Sequence, residues 1–147
     1  MLISQILRAK RPGVVTIAPE TRVHAAIALM SREHVGALVV VNEDERLLGV
    51  ISERDIIHGL DCEGIDLMRA TVSSIMRTDG PTATLEDTVQ SIMEIMTVTR
   101  ARHVPVLKYR HPIGIVSAGD IIKSRLDETM RENSVLKDMA RVHWLTS

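Results

Sequence analysis

Aromatic side chains are nearly absent from this sequence: its 147 residues include no Phe, one Tyr and one Trp. Proteins that bind single-stranded nucleic acid stack successive bases on aromatic side chains, so the sequence excludes this class. An excess of basic charge is lacking as well, because 18 basic residues face 19 acidic ones and no run of Lys or Arg exceeds two. A phosphate backbone requires a continuous basic face, and we therefore expect no nucleic-acid partner.

Long apolar segments and paired cysteines are also missing. The longest apolar run, Val35 to Val41, has seven residues, whereas a helix needs roughly 20 to cross a bilayer. The first residues lack the layout of a signal peptide, so we expect no membrane segment and a cytoplasmic protein. Cys62 is the only cysteine, which excludes an intramolecular disulfide and a multi-cysteine zinc site and fits a reducing compartment.

Motifs of common catalytic sites are absent too. The chain contains no G-x-S-x-G elbow, no H-E-x-x-H helix, no G-x-x-x-x-G-K loop and no G-x-G-x-x-G turn. Its six histidines include no pair spaced four residues apart, the spacing that places two metal ligands on one helix face. We therefore expect no enzyme activity, no catalytic cofactor and no metal site.

The most informative feature of the sequence is an internal repeat. The segment G-V-I-S-E-R-D-I-I from Gly49 recurs as G-I-V-S-A-G-D-I-I from Gly114, a displacement of 65 residues. The apolar stripe of a helix that begins at Val23 recurs from Val89 with a displacement of 66. Near the N-terminus, the leader I-S-Q-I-L matches a later V-S-S-I-M with a displacement of 69. Two copies of one unit therefore make up nearly the whole chain.

Each copy reads as leader, strand, helix, strand, strand and helix. Short runs rich in β-branched residues predict the strands, at 14–17, 37–41 and 48–51 in the first copy and at 82–85, 104–107 and 113–116 in the second. A three-stranded sheet with helices on one face leaves its other face uncovered. We therefore expect an α+β fold in which the two copies pack sheet against sheet around a pseudo-two-fold axis.

The chain continues beyond the second copy as a helical extension. Its apolar stripe runs through Ile122, Leu126 and Met130 and loosens at 132–134, which predicts one long helix or two with a break there. Trp144, near the end, is typical of a packing anchor or a dimer contact.

A serine and an aspartate follow one strand of each copy, where a helix begins: Ser52 with Asp55, and Ser117 with Asp120. One interpretation is a capping box, in which each side chain bonds the backbone amide of the other and no ligand is needed. The alternative is a ligand site, because free amides at a helix N-terminus attract phosphate and a carboxylate can accept both hydroxyls of a ribose. Arg54 would then add charge for a phosphate.

The basic residues of the two copies are complementary rather than duplicated. Arg102 and His103 precede the middle strand of the second copy, where the first copy has Gly36 and Ala37. Conversely, the second copy lacks a counterpart of Arg54. This asymmetry indicates two related clefts with unequal affinity or different ligands, or a single shared site.

Taken together, these motifs resemble tandem cystathionine-β-synthase (CBS) domains. The resemblance rests on G-V-I-S-E-R-D, G-I-V-S-A-G-D, R-H-V-P-V, V-x-x-A-I-x-x-M and V-S-S-I-M, and it covers about residues 1–126. It is closest to stand-alone bacterial proteins with two repeats. The implied architecture is a pair of βαββα repeats, a Bateman module, with CBS repeat 1 and its leader over 1–62, a linker over 63–71, CBS repeat 2 and its leader over 72–126, and a C-terminal helical extension over 127–147.

The resemblance also implies a regulatory function. Such modules bind adenosine-containing ligands, such as AMP, ADP, ATP, S-adenosylmethionine or NAD, in the clefts between their sheets, and they usually form homodimers. The implied protein is a ligand sensor that acts on an unidentified protein partner. The alternative is a ligand-free dimeric scaffold, in which the Ser-x-x-Asp pairs are helix caps alone.

The implied ligand contacts fall into four groups. Asp55 and Asp120 would bind the ribose, Ser52 and Ser117 would bind phosphate or ribose oxygens, and Arg54, Arg102 and His103 would bind phosphate. The backbone near Leu38 and Val104 would contact the edge of the adenine. Thr16, and either Thr82 or Thr84, would add further polar contacts.

Overall fold

The computed structural model describes the backbone of residues 1–146 and the side chains of residues 1–143. Repeat 1 and its connection to repeat 2 contain α1 (Ile3–Arg8), β1 (Thr16–Ile17), α2 (Val23–Glu33), β2 (Ala37–Val41), β3 (Leu47–Ser52), α3 (Glu53–Glu63) and two 3₁₀ turns (Gly64–Arg69 and Val72–Ser74). Repeat 2 contains α4 (Val89–Thr99), β4 (His103–Lys108), β5 (His111–Ser117) and α5 (Ala118–Thr146). The side chain of Trp144 lies outside the described residues.

The two sheets differ in their first strand. In repeat 1, β1 pairs in parallel with β2, which pairs antiparallel with β3. In repeat 2, β4 and β5 form an antiparallel pair, and the strand predicted over 82–85 is reduced to one parallel bridge between Ala83 and Val106. The prediction is wrong here because the segment turns away at once: the Thr84 amide donates to Asp87 Oδ2 at 2.8 Å, so it is turned to a local acceptor.

Two of the helices end in the same backbone conformation, and the last helix is continuous. Helices α2 and α4 both end at a residue in the left-handed conformation, His34 with a φ of 55° and Arg100 with a φ of 61°. Helix α5 runs without interruption through 132–134, so the extension is one helix rather than two. None of the described helices combines the length and the apolar character needed to cross a membrane.

Each repeat has its own hydrophobic core, and the predicted helix stripes supply it. Helix α2 buries Val23, Ala26 and Met30 against β2 and β3, and α4 buries Val89, Ile92 and Met96 against β4 and β5. Full burial of one such aliphatic side chain stabilises the fold by about 1.5–3 kcal/mol. These stripes therefore hold each helix on its sheet.

The two leaders are exchanged between the repeats. Ile3 and Ile6 of α1, at the N-terminus of repeat 1, lie in the core of repeat 2. Val72, in the leader that precedes repeat 2, lies in the core of repeat 1. Hydrogen bonds follow the same exchange, since the Ile3 amide donates to the Asp87 carbonyl at 2.9 Å and the Val72 amide to the Thr21 carbonyl at 2.8 Å. Each core is thus completed by a segment that precedes the other repeat.

The two sheet hairpins also meet. The Leu47 amide lies 3.5 Å from the Arg110 carbonyl oxygen, and His111 Nδ1 lies 3.1 Å from the Glu45 carbonyl oxygen. These contacts and the leader exchange hold the repeats together. Two clefts lie between them.

Candidate functional site

The first cleft is a cavity of about 510 Å³ with walls from both repeats. This volume lies within the range of small-molecule sites. Repeat 1 contributes the end of β3 and the start of α3, and repeat 2 contributes the segments before β4 and after β5. Its polar and charged lining residues are Ser52, Glu53, Arg54, Asp55, Arg77, Thr78, Arg100, Arg102, His103 and Ser117.

The Ser-x-x-Asp pair at the first corner forms a complete capping box. Asp55 Oδ2 accepts hydrogen bonds from the Ser52 amide and from Ser52 Oγ, both at 2.9 Å, and the Asp55 amide donates to Ser52 Oγ at 3.3 Å. The cap engages one carboxylate oxygen and leaves the other, since Asp55 Oδ1 has no hydrogen-bond partner among the described side chains and backbone groups. The box therefore orients Asp55 and keeps an acceptor at the cleft.

Four arginines line the same cleft: Arg54, Arg77, Arg100 and Arg102. None of them forms an ion pair with an acidic side chain in the part of the chain that the structure describes. Glu53 and Asp55 are the acidic residues of the lining. The cleft thus carries more positive than negative charge, and its cations are not neutralised by close partners.

His103 lies at the first position of β4 and is partly buried, beside the first corner. A Cβ placed on Gly36 would lie 3.4 Å from His103 Nε2 and 3.6 Å from the Glu53 carboxylate, so these groups approach one another there. Burial lowers the pKa of His103 below its ordinary value; the Glu53 charge opposes this effect, and Lys10 and Arg102 reinforce it. His103 is therefore a neutral imidazole at neutral pH, able to donate or accept a hydrogen bond.

The second cleft has a volume of about 580 Å³, and part of its lining comes from positions equivalent to those that line the first cleft. His34, Val35, Ala37 and Val39 line it, and the displacement of 66 relates them to 100, 101, 103 and 105 in the lining of the first cleft. Its own charged residues are Lys10, Arg11 and Glu33, with His34 beside them. Arg11 Nη2 donates to Glu33 Oε2 at 2.6 Å.

The second corner is also a capping box, but its aspartate carries a further bond. The Ser117 amide donates to Asp120 Oδ2 at 2.8 Å, and the Asp120 amide donates to Ser117 Oγ at 3.1 Å. Lys10 Nζ donates to the same Asp120 Oδ2 at 2.8 Å and to the Ile115 carbonyl at 2.7 Å. Burial alone would raise the pKa of Asp120, and the bonds from Lys10 and Ser117 hold it below its ordinary value.

The structure brings together half of the predicted ligand residues. The first cleft combines Ser52, Arg54 and Asp55 of repeat 1 with Arg102, His103 and Ser117 of repeat 2. The predicted residues that lie outside its lining are Thr16, Leu38, Thr82, Thr84, Val104 and Asp120.

The residues outside the lining have other surroundings. Leu38 and Val104 are fully buried in the two repeat cores. Because side chains alternate along a strand, the neighbours of Val104, His103 and Pro105, face the first cleft instead. Thr16, on β1, is exposed. Asp120 is bound by Lys10.

Several lining residues were not expected from the sequence. Arg77 and Thr78 follow the second leader, Arg100 ends α4, and Lys10 follows the first leader. The sequence offered one indication of their position: Pro12 and Pro81 match at the leader displacement of 69, which marks both post-leader segments as equivalent. In the described part of the chain, no group of His, Cys, Asp and Glu is arranged to hold a metal ion.

Comparison with known proteins gives consistent results. A family model for the CBS domain matches residues 3–61 and 72–127. A crystal structure of a CBS-domain containing protein from Agrobacterium tumefaciens is 32% identical, with a TM-score of 0.81 over 85% of this chain and 99% of that one. The CBS-domain containing protein CBSX3 of Arabidopsis thaliana is 37% identical over 114 residues, which span 75% of this chain and 55% of that protein.

Among the solved neighbours are structures with bound ligands. The CBS domain pair of protein MJ0100, in complex with 5′-methylthioadenosine and S-adenosyl-L-methionine, is 27% identical, with a TM-score of 0.76 over 88% of this chain and 98% of that one. Both of its ligands are adenosine compounds.

Proposed function

Because the chain belongs to the CBS-domain family, with two CBS domains in tandem, we propose that its first cleft binds an adenine nucleotide and that the protein is a regulatory sensor rather than an enzyme. One observation carries the proposal: a carboxylate with a free oxygen and four arginines that have no ion pair among the described residues meet in one cavity of about 510 Å³.

The first corner suits a ribose. A ribose presents two neighbouring hydroxyl donors, and an ionised carboxylate has acceptor sites for both. In the cap, Asp55 Oδ2 is engaged and Oδ1 remains available, so a diol can bind without breaking the helix cap. Loss of Asp55 therefore removes a ligand contact as well as a cap.

The arginines suit the phosphate. Guanidinium groups bind phosphate with charge-assisted and often bidentate hydrogen bonds. Arg54 lies on α3 and Arg77 is bridged to β3 of repeat 1, whereas Arg100 and Arg102 lie between α4 and β4 of repeat 2. An anionic group between them would be held by both repeats, which supports a phosphate-bearing ligand such as AMP, ADP, ATP or NAD over an uncharged nucleoside.

Apolar residues provide a place for the adenine. Val50, Ile57, Ala101 and Pro105 line the cleft beside the polar groups. A heterocyclic base is stabilised by such surfaces, while its edge is read by backbone amides and carbonyls. The ligands of the MJ0100 pair, 5′-methylthioadenosine and S-adenosyl-L-methionine, share this adenosine moiety, which supports the same class of ligand here.

We further propose that the sensor acts as a homodimer on another protein. The start of α5 lies in the wall of the first cleft, because Ala118 and Gly119 line it. Farther along α5, Ile122, Leu126 and Met130 are 60%, 55% and 66% exposed and form an apolar stripe. A second copy packed on this stripe would connect the ligand site with the assembly.

The test combines a protein variant with a ligand variant. Isothermal titration with AMP and with 2′-deoxy-AMP is carried out on the wild type and on Asp55→Asn. If Asp55 binds the diol, each single change weakens binding about tenfold, and the two together cost little more than one, because both remove the same contact. Asp79→Asn, an exposed acid near the cleft, is the control and leaves AMP affinity unchanged. Additive losses would refute the ribose contact.

The alternative function is a ligand-free scaffold, and the complete capping boxes favour it. At both corners the amide of the third helical residue is satisfied by the serine without any ligand. Thermal unfolding distinguishes the two functions, because a ligand at 100 times its Kd stabilises the folded state by about 2.7 kcal/mol. Absence of any shift with millimolar AMP, ATP or NAD would support the scaffold.

A further inference from the structure

In the second cleft, the side chain of Lys10 is bound to the aspartate of the second corner. Lys10 Nζ lies 2.8 Å from Asp120 Oδ2 and 2.7 Å from the Ile115 carbonyl oxygen. Lys10 lines this cleft and Asp120 does not, so the lysine covers the carboxylate on the cleft side. We propose that Lys10 closes the second corner to a ribose and limits the chain to one nucleotide, bound in the first cleft; the inference rests on the proposed function.

The leader exchange places Lys10 there. Helix α1 packs on β5 at Gly114, where a Cβ would lie 2.9 Å from both terminal carbons of Leu7. Glycine therefore allows α1 to lie close to the strand that ends at the second corner. Three residues after Leu7, Lys10 reaches the carbonyl of Ile115, the next residue along β5, and the carboxylate beyond it.

The first corner has no equivalent of this lysine. With the leader displacement of 69, the residue equivalent to Lys10 is Asp79, and Asp79 is exposed. An acid at this position cannot pair with Asp55, whose side chain has no basic partner among the described residues. The same structural unit thus carries a cation that covers its aspartate in one half and an anion that leaves its aspartate uncovered in the other.

The remaining charges repeat this contrast. In the second cleft, Lys10 is paired with Asp120 and Arg11 with Glu33, at 2.8 Å and 2.6 Å. In the first cleft, the four arginines have no such partners in the described part of the chain. A ligand entering the second cleft would have to break existing ion pairs, whereas a ligand entering the first would supply the missing ones.

Displacement of Lys10 by a ribose is unfavourable on chemical grounds. The ammonium donates a charge-assisted hydrogen bond to Asp120, and a neutral hydroxyl would replace it with a weaker one. Both groups of the ion pair are largely withdrawn from solvent, with side-chain exposures of 32% and 22%. A lysine detached from Asp120 would leave a partly buried charge without its partner.

The experiment counts bound AMP by isothermal titration and by equilibrium dialysis. Wild type is compared with Lys10→Met, which keeps the length and apolar character of the side chain but removes its charge. Arg11→Met is the matched control, because it also removes a cation from the second cleft and leaves Asp120 covered. Asp55→Ala, alone and combined with Lys10→Met, assigns each binding event to a cleft.

We expect one tightly bound AMP per chain in the wild type, in Arg11→Met and in the double variant, and two in Lys10→Met, whereas the AMP of Asp55→Ala binds at least tenfold more weakly than that of the wild type. Two AMP in the wild type, or one in Lys10→Met with none tightly bound in the double variant, would overturn the role of Lys10. No AMP in the wild type but one in Lys10→Met would support Lys10 and refute the first-cleft assignment. No binding by any variant would refute both.

A measurement on the wild type avoids any dependence on the folding of the variant. A crystal structure at saturating AMP is expected to show ligand density in the first cleft alone, with Lys10 Nζ still bonded to Asp120. Density for a ribose at Asp120, with the lysine displaced, would overturn the proposal.

Discussion

Arg100 has a left-handed backbone conformation and also lines the first cleft. Its replacement by glycine should therefore change the stability of the fold and the affinity for AMP in opposite directions. Arg100 ends helix α4 with a φ of 61° and a ψ of 15°, in the left-handed region. A residue with a Cβ is strained there by roughly 1–2 kcal/mol, and glycine is not. Greater freedom of glycine in the unfolded chain offsets part of this relief, so we expect Arg100→Gly to raise the free energy of unfolding by about 1 kcal/mol at most.

The same substitution removes one of the four arginines of the cleft. Loss of one arginine–phosphate contact at a partly exposed site costs about 1.4 kcal/mol, which is about tenfold in Kd. Adenosine has no phosphate, and its affinity should stay near that of the wild type. The variant is therefore expected to be more stable than the wild type and weaker in binding AMP.

His34→Gly is the matched control. His34 ends α2 at the equivalent position with a φ of 55°, but it lines the second cleft. We expect a similar gain in stability, about 2–4 °C in Tm for a chain of this size, with unchanged AMP affinity. Thermal unfolding gives Tm, urea denaturation gives the free energy of unfolding, and isothermal titration gives the affinities. If Arg100→Gly binds AMP as tightly as the wild type, or loses AMP and adenosine equally, the phosphate assignment of this arginine is wrong.

Three further predictions follow from the described contacts. Since the pKa of His103 is lowered by burial, the unfolded chain takes up a proton first as pH falls below about 6.5, so the free energy of unfolding should decline in this window; a decline of equal size in His103→Gln would contradict this origin. Ile3→Ala should cost about 2–5 kcal/mol and increase hydrogen exchange in α4, in the core that Ile3 completes; faster exchange confined to α2 would contradict the leader exchange. Gly49→Ala should cost about 1–3 kcal/mol, because its Cβ would lie 2.7 Å from the Arg77 carbonyl oxygen; unchanged urea unfolding would contradict it.

The sequence predicted what depends on local pattern. The stripes that begin at Val23 and Val89 form the buried faces of α2 and α4, because helix periodicity directly determines which side chains face a sheet. The Ser-x-x-Asp pairs lie at helix starts as expected. The prediction of a strand over 82–85 was wrong because the Asp87 side chain accepts a hydrogen bond from the Thr84 amide. The β-branched residues on which the prediction was based give no sign of this hydrogen bond.

The site was predicted in part for the same reason. Arg54 lies in the repeated motif, and Arg102 with His103 lies in the recognisable segment R-H-V-P-V where β4 begins, so all three were expected at a ligand. Their convergence in one cleft depends on how the two repeats face each other. Lys10 reaches Asp120 across 110 residues of sequence, and no local spacing encodes such a contact.

Helix α5 starts in the wall of the first cleft and continues to Thr146 without a break. At 1.5 Å per residue it extends about 40 Å away from the cleft, so a tilt of about 5° at its root moves the far end by roughly 3–4 Å. Such a rod acts as a lever. We expect distances between spin labels at position 141 of the two chains of the proposed homodimer to change when AMP is added, and unchanged distances would show that the lever does not move.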